Sequence, residues 1–114
     1  MSVAEAQLDA AFLALADPTR RAIITRLTTG EATVNELAEP FPVSQQSVSR
    51  HIGVLKRCGL ITQSIDGQRR PCQLKTDTMT ELLGWIADQK QLWEDRIDAL
   101  ETHLENLQTK EPNQ

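Results

Sequence analysis

The stretch Ser44-Gln45-Gln46-Ser47-Val48-Ser49-Arg50-His51-Ile52-Gly53-Val54-Leu55-Lys56-Arg57-Cys58 decides the fold. Val48, Ile52 and Leu55 recur at i, i+4 and i+7, which stacks three apolar side chains on one stripe of an α-helix. Gln46, Arg50, Gly53 and Arg57 fall on the opposite side, and Gln45, Ser47 and Ser49 lie near its first turns. That outer face is small, polar and positive, with no Asp or Glu between Ser44 and Ile65. Gln and Arg match the edges of adenine and guanine in a major groove wide enough to admit a helix. A helix over about 44–58 with these two faces has the character of the second helix of a helix-turn-helix.

The flanks extend this reading. Thr33-Val34-Asn35-Glu36 has capping-box spacing, so a short helix is predicted to start there and run through Leu37 and Ala38. Pro40 and Pro42 end it, because proline has no N–H for the helical ladder and restricts the residue before it. Ser44 caps the next helix after a tight connection of about four residues. Downstream, Gly59 suits a left-handed C-cap. Leu60 to Ile65 and Arg69 to Leu74 read as two strands turning at Asp66-Gly67, with Gln68, Arg69 and Arg70 at the tip. A helix-turn-helix followed at once by a basic-tipped hairpin predicts a winged helix, mainly α with one small β-hairpin.

Asp17-Pro18-Thr19-Arg20-Arg21, Leu27, Asn35-Glu36-Leu37-Ala38, Ser44-Gln45, Val48-Ser49-Arg50-His51, Leu55 and Gly59-Leu60-Ile61 together resemble the ArsR/SmtB family of bacterial winged-helix repressors. The resemblance covers roughly residues 8–107. It implies a homodimer that binds a palindromic operator in double-stranded DNA and represses transcription, with release by a metal or another effector in many members.

At 114 residues the chain is read as one domain over 1–114, with a DNA-binding core at 18–75 and a wing at about 60–75. Its net charge of −4 looks unsuited to DNA. The distribution removes the objection: residues 18–75 hold nine Lys/Arg against four Asp/Glu, and the remainder holds three against twelve. Positive charge is confined to the block predicted to read DNA.

The acidic remainder is helical. From Met79 to Leu107 apolar residues repeat by sevens at Met79, Ile86, Trp93, Leu100 and Leu107. A second set, Leu83, Ile97 and Leu104, follows four behind and is interrupted by Lys90. A helix over about 78–107, capped by Asp77 or Thr78, spans ~45 Å. Such a rod is too long to bury its stripe against its own domain. Its expected partner is the same helix of a second chain, through Ile86, Trp93, Ile97, Leu100 and Leu104. An N-terminal helix over about 5–15, with Leu8, Phe12 and Leu15, is expected to assist. A plain amphipathic helix lying across a monomer core is the competing reading.

No catalytic or metal constellation stands out. Metal-sensing members of the resembled family carry a Cys-x-Cys-type box before the turn or an Asp/His/Glu cluster on the last helix. Here Thr33 to Glu39 has neither Cys nor His, and His103 stands beside Glu101 and Glu105 without a second His. No metal, cofactor or effector is therefore assigned. His51 is placed on the flank of the reading helix, near phosphates. Cys58 and Cys72 could form a redox switch: Lys56 and Arg57 would lower the Cys58 pKa, and Cys72 is expected across from about Ile61. A small apolar residue just before Gly59 is what the fold requires, and Cys behaves as one, so the structural role is the leading reading.

No apolar run approaches the ~20 residues of a membrane span, and MSVAEAQLDA does not read as an export leader. The expected location is the cytoplasm, with reduced thiols, and residues 110–114 read as a frayed tail. The leading function is a sequence-specific dimeric DNA-binding repressor that is not an enzyme. The alternatives are a winged-helix protein-interaction module and a thiol-responsive repressor. The predicted reading residues are Ser44, Gln45, Gln46, Ser47, Ser49, Arg50 and His51, with Gln68, Arg69 and Arg70 in the wing.

Overall fold

A computed structural model describes residues 3–109; the expected tail at 110–114 lies outside them. The element order is α1 (Val3–Leu15), α2 (Pro18–Leu27), α3 (Val34–Ala38), α4 (Gln45–Arg57), β1 (Ile61–Gln63), β2 (Cys72–Leu74) and α5 (Thr76–Thr109). The chain divides into two compact units, one running to Leu82 and the other from Leu83 onward.

Local chemistry fixes the helix ends in the first unit. Asp17 caps α2 by accepting from the backbone N–H of Thr19 at 2.8 Å and of Arg20 at 3.1 Å, and Pro18 fits the first helical turn. The capping box at Thr33 and Glu36 is formed as expected. Ser44 caps α4, its side chain accepting from Ser47 N at 3.1 Å. Between α3 and α4 the connection runs from Glu39 to Ser44, longer than the expected four residues. The helix stops at Ala38, before Pro40 and Pro42, and cannot resume until Ser44 supplies a cap.

The core is assembled from every element of this unit. Val48, Ile52 and Leu55 of α4 bury their stripe with Ile23, Leu27, Leu37, Leu60, Ile61 and Leu82. Ala11 and Ala14 bury the inner face of α1, while Leu8 and Leu15 pack at its edge. The small side chains let α1 lie close, which is why its large apolar residues are not its core contribution. Gly59 takes φ +82°, and a Cβ there would sit 2.7 Å from Thr78 Oγ1. Both conformation and space therefore demand glycine at the end of α4.

The wing differs from expectation in register. Ile61 pairs with Leu74, Thr62 with Gln73, and Gln63 with Cys72, while Asp66 bridges Arg69. The turn residues are thus Gly67 and Gln68, one step beyond Asp66-Gly67, because Gly67 supplies the positive φ of +64°. Cys72 accordingly lies opposite Gln63 rather than Ile61, and it also bridges Ala32. The strands are shorter than the predicted six residues each.

In the second unit, α5 residues from Leu83 to Thr109 are exposed in the single chain. This helix starts at Thr76, earlier than expected, so Thr78 is an interior, buried residue and not a cap. Its outward apolar residues include Ile86, Trp93, Ile97, Leu100 and Leu104. Lys90, which interrupts the heptad set, pairs with Glu94 at 3.7 Å. No helix among the described residues is long and apolar enough to cross a membrane.

Candidate nucleic-acid interface

With its apolar stripe turned into the core, α4 presents Gln45, Gln46, Ser49 and Arg50 to solvent. Ser47 is half-buried, its backbone N–H engaged by the Ser44 cap. Gln45 donates its side-chain amide to Asn35 Oδ1 on α3, which orients one of the predicted reading side chains from the neighbouring helix. Asn35 carried no sequence signal for this role beyond its place in a capping box.

His51 faces inward from this surface. Its Nδ1 lies 3.1 Å from Arg20 Nη1, and the ring is half-buried. Arg20 also donates from Nε to Ala14 O at 2.6 Å and from Nη2 to Leu13 O at 3.2 Å. Arg21 donates to Leu15 O at 2.8 Å. Two arginines of α2 thus engage the last carbonyls of α1, where intrahelical partners run out and Leu13 O also accepts from Ala16 N at 3.2 Å. The residues were visible in the sequence as a basic pair after Asp17-Pro18; a helix cap there would have placed both in the first turn of α2.

At the wing, Gln68, Arg69 and Arg70 are exposed at the hairpin tip and beyond it. Arg69 Nη2 lies 3.3 Å from Glu36 Oε1, and its Nη1 lies 3.9 Å from Asp66 Oδ2. The base of the hairpin is braced by Lys56 Nζ donating to Gln63 Oε1 at 3.0 Å and Gln63 Nε2 donating to Arg70 O at 2.9 Å. A cleft of about 520 Å³ lies among Thr33, Asn35, Glu36, Gln45 and the wing residues Gln68 to Arg70. Of the predicted reading residues of α4, Gln45 lines this cleft together with the wing residues Gln68, Arg69 and Arg70, whereas His51 turns toward Arg20.

Both cysteines are free and buried. Burial pushes both thiols up, and for Cys58 it outweighs the favourable charges of Arg20 and Arg57. This reverses the expected lowering of Cys58, since a thiol disfavoured as thiolate is a poor nucleophile. Among the described residues no group of three or more His, Cys, Asp or Glu is arranged to hold a metal ion.

An exposed polar helix face packed beside a basic hairpin defines a winged helix-turn-helix protein. A Helix-turn-helix domain model matches residues 15–64. The HTH-type transcriptional regulator Rv2034 of Mycobacterium tuberculosis is 50% identical over 66 residues, 58% of this chain and 62% of that protein's length. The transcriptional repressor SdpR of Bacillus subtilis is 35% identical over 66% of this chain and 83% of its own. A crystallised ArsR family transcriptional regulator is 42% identical, with a TM-score of 0.75 over 82% of this chain and 97% of that one. A homodimeric winged helix-turn-helix DNA-binding domain of Mycobacterium bovis is 26% identical, with a TM-score of 0.60 over 72% of this chain and 79% of its own. The chain belongs to the ArsR family of winged helix-turn-helix transcriptional regulators.

Proposed function

We propose that this regulator is a homodimer that binds a palindromic DNA operator and represses transcription in the cytoplasm. The observation that carries the reading is the face of α4: Gln45, Gln46, Ser49 and Arg50 exposed together on a helix whose opposite stripe is buried. Gln45, Gln46, Ser49 and Arg50 read base edges in the major groove, and Ser44 and Ser47 contact its backbone. Gln68, Arg69 and Arg70 lie along phosphates or in the adjoining minor groove. His51 is assigned a positioning role through Arg20 in place of a direct contact.

The residues from Leu83 to Thr109 supply the dimer contact, with Phe12 and the edge residues Leu8 and Leu15 of α1 assisting. Burying Ile86, Trp93, Ile97, Leu100 and Leu104 at ~1.5–3 kcal/mol each gives a gross gain ample for association. A two-fold dimer presents two copies of α4, matching half-sites ~34–36 Å apart. The similarity to the repressor SdpR and to the homodimeric M. bovis domain supports both parts.

The test is selection of bound duplexes from a random pool, followed by gel shift across a salt series and sedimentation of the free protein. A palindromic consensus bound by a species of twice the chain mass is expected. Enrichment of no sequence, with binding equal for all duplexes, would overturn sequence-specific recognition.

A further inference from the structure

Glu36 Oε1 is shared between two jobs. It accepts from Thr33 N and from Thr33 Oγ1, each at 3.0 Å, and so closes the capping box of α3. It also accepts from Arg69 Nη2 at 3.3 Å, across the cleft from the wing. Both side chains remain about half exposed, at 52% for Arg69 and 47% for Glu36, so a solvent-borne anion can reach Arg69. The same cleft is bordered by Gln45 at the start of α4 and by Gln68 and Arg70 at the wing tip.

A major groove and the minor groove beside it are separated by one phosphodiester strand. If α4 lies in the first and the wing at the second, that strand crosses this cleft. We propose that the cleft is a phosphodiester site in which Arg69 exchanges Glu36 for a backbone phosphate, with Glu36 acting as the built-in competitor. The inference rests on the DNA-binding reading above. It adds that a carboxylate of α3 limits how tightly the protein holds any DNA.

Arg pairs readily with either carboxylate or phosphate, so the exchange keeps its charge-assisted bonds. Glu36 cannot follow, because the Thr33 bonds hold it in the capping box. After exchange its charge stays beside the phosphate strand. The penalty carries no sequence information, since phosphates are alike at every site. In the free protein Arg69 and Glu36 together present no net charge, so Arg69 adds little to the counterions released on binding. Removing the Glu36 charge raises the net charge of this contact by one, with Asp66 Oδ2 remaining 3.9 Å from Arg69 Nη1.

Glu36→Gln is the informative variant, because Gln also serves in a capping box. It is expected to tighten binding to a random-sequence duplex and to the selected operator by a similar factor. The dependence of log K on log salt should steepen by about 0.9, so its advantage over wild type grows roughly threefold between 200 and 50 mM salt. The double variant Glu36→Gln/Arg69→Gln should return to the wild-type slope, since a neutral pair replaces an ion pair. An independent reading uses unmodified protein: the Arg69 guanidinium N–H resonances should shift when random duplex is added. A wild type that binds no duplex at all would overturn the DNA-binding reading and this inference together. A wild type that binds, beside a folded Glu36→Gln with unchanged slope and affinity, or unshifted Arg69 resonances, would overturn the exchange alone.

Discussion

Arg20 Nη1 sits 3.1 Å from His51 Nδ1, and this contact fastens α4 to the end of α1. The same guanidinium holds the carbonyls of Leu13 and Ala14, so one side chain ties three helices. With Nδ1 accepting from Arg20, the ring's other nitrogen carries the proton. The planar fork of Arg serves all three acceptors, which the single ammonium of Lys cannot reproduce.

Arg20→Lys should therefore lower stability by about 2 kcal/mol, the scale of hydrogen bonds to a charged group. His51→Leu should cost less, and the double variant should cost less than the sum of the two singles, because they share one bond. Urea unfolding of the four proteins measures this. Additive losses would show that the two side chains are not energetically coupled.

On the reading face, Arg50→Ala should weaken operator binding by ~1–3 kcal/mol and relax preference at one base position. Gln45→Ala should behave similarly, and Asn35→Ala should mimic part of it by releasing the Gln45 amide. Stability should change little, since Gln45 and Arg50 are exposed. Competition gel shifts against singly substituted operators give the answer; unaltered preference in Arg50→Ala would remove it from the reading set.

The elements legible in the sequence were those written by local rules. The Thr33–Glu36 capping box, the Ser44 cap, the Val48/Ile52/Leu55 stripe and the Gly59 stop each depend on a few neighbouring residues, and each is formed. The hairpin was visible but its register was not, because Asp66-Gly67 and Gly67-Gln68 both place a glycine in the turn. Only the pairing across the strands separates them. The role of His51 was hidden for a different reason. Its neighbour on α4, Arg50, is exposed, while one helical step turns His51 toward Arg20, which is 31 residues away in sequence. At Cys58 the nearby cations are visible in the sequence and the burial that outweighs them is not, although the burial agrees with the small apolar role expected before Gly59.

Two caps make stability sensitive to acid. The backbone N–H of Arg20 is the chief cause holding the Asp17 carboxyl below its usual 3.8, and the bonds from Thr33 hold Glu36 below its usual 4.5. Both groups have folded values below the unfolded ones. Their contribution is thus fully present above the unfolded pKa values and is lost as pH falls through the folded ones. Melting temperature should be flat from pH 7 to about 5 and then decline. Asp17→Asn keeps a capping side chain but cannot titrate, so its decline should be shallower. Parallel acid limbs for wild type and Asp17→Asn would remove Asp17 from the cause.

The dimer prediction turns on a contrast within α5. Leu82 is only 2% exposed in the first unit's core, whereas Trp93 and Leu100 are 64% and 58% exposed in the second unit. Leu82→Ala should cost about 2–5 kcal/mol by opening a core cavity, and so should lower the melting temperature whatever the state of association. Trp93→Asp with Leu100→Asp removes nothing buried in the single chain, so the first unit should keep its fold. In a dimer, however, each charge would have to be buried against its twin without a partner. Sedimentation should show twice the chain mass for wild type and one chain mass for the double variant. The variant should retain weak, salt-sensitive binding to single half-sites and lose tight binding to the palindrome. A double variant that still sediments as a dimer would move the interface away from this stripe.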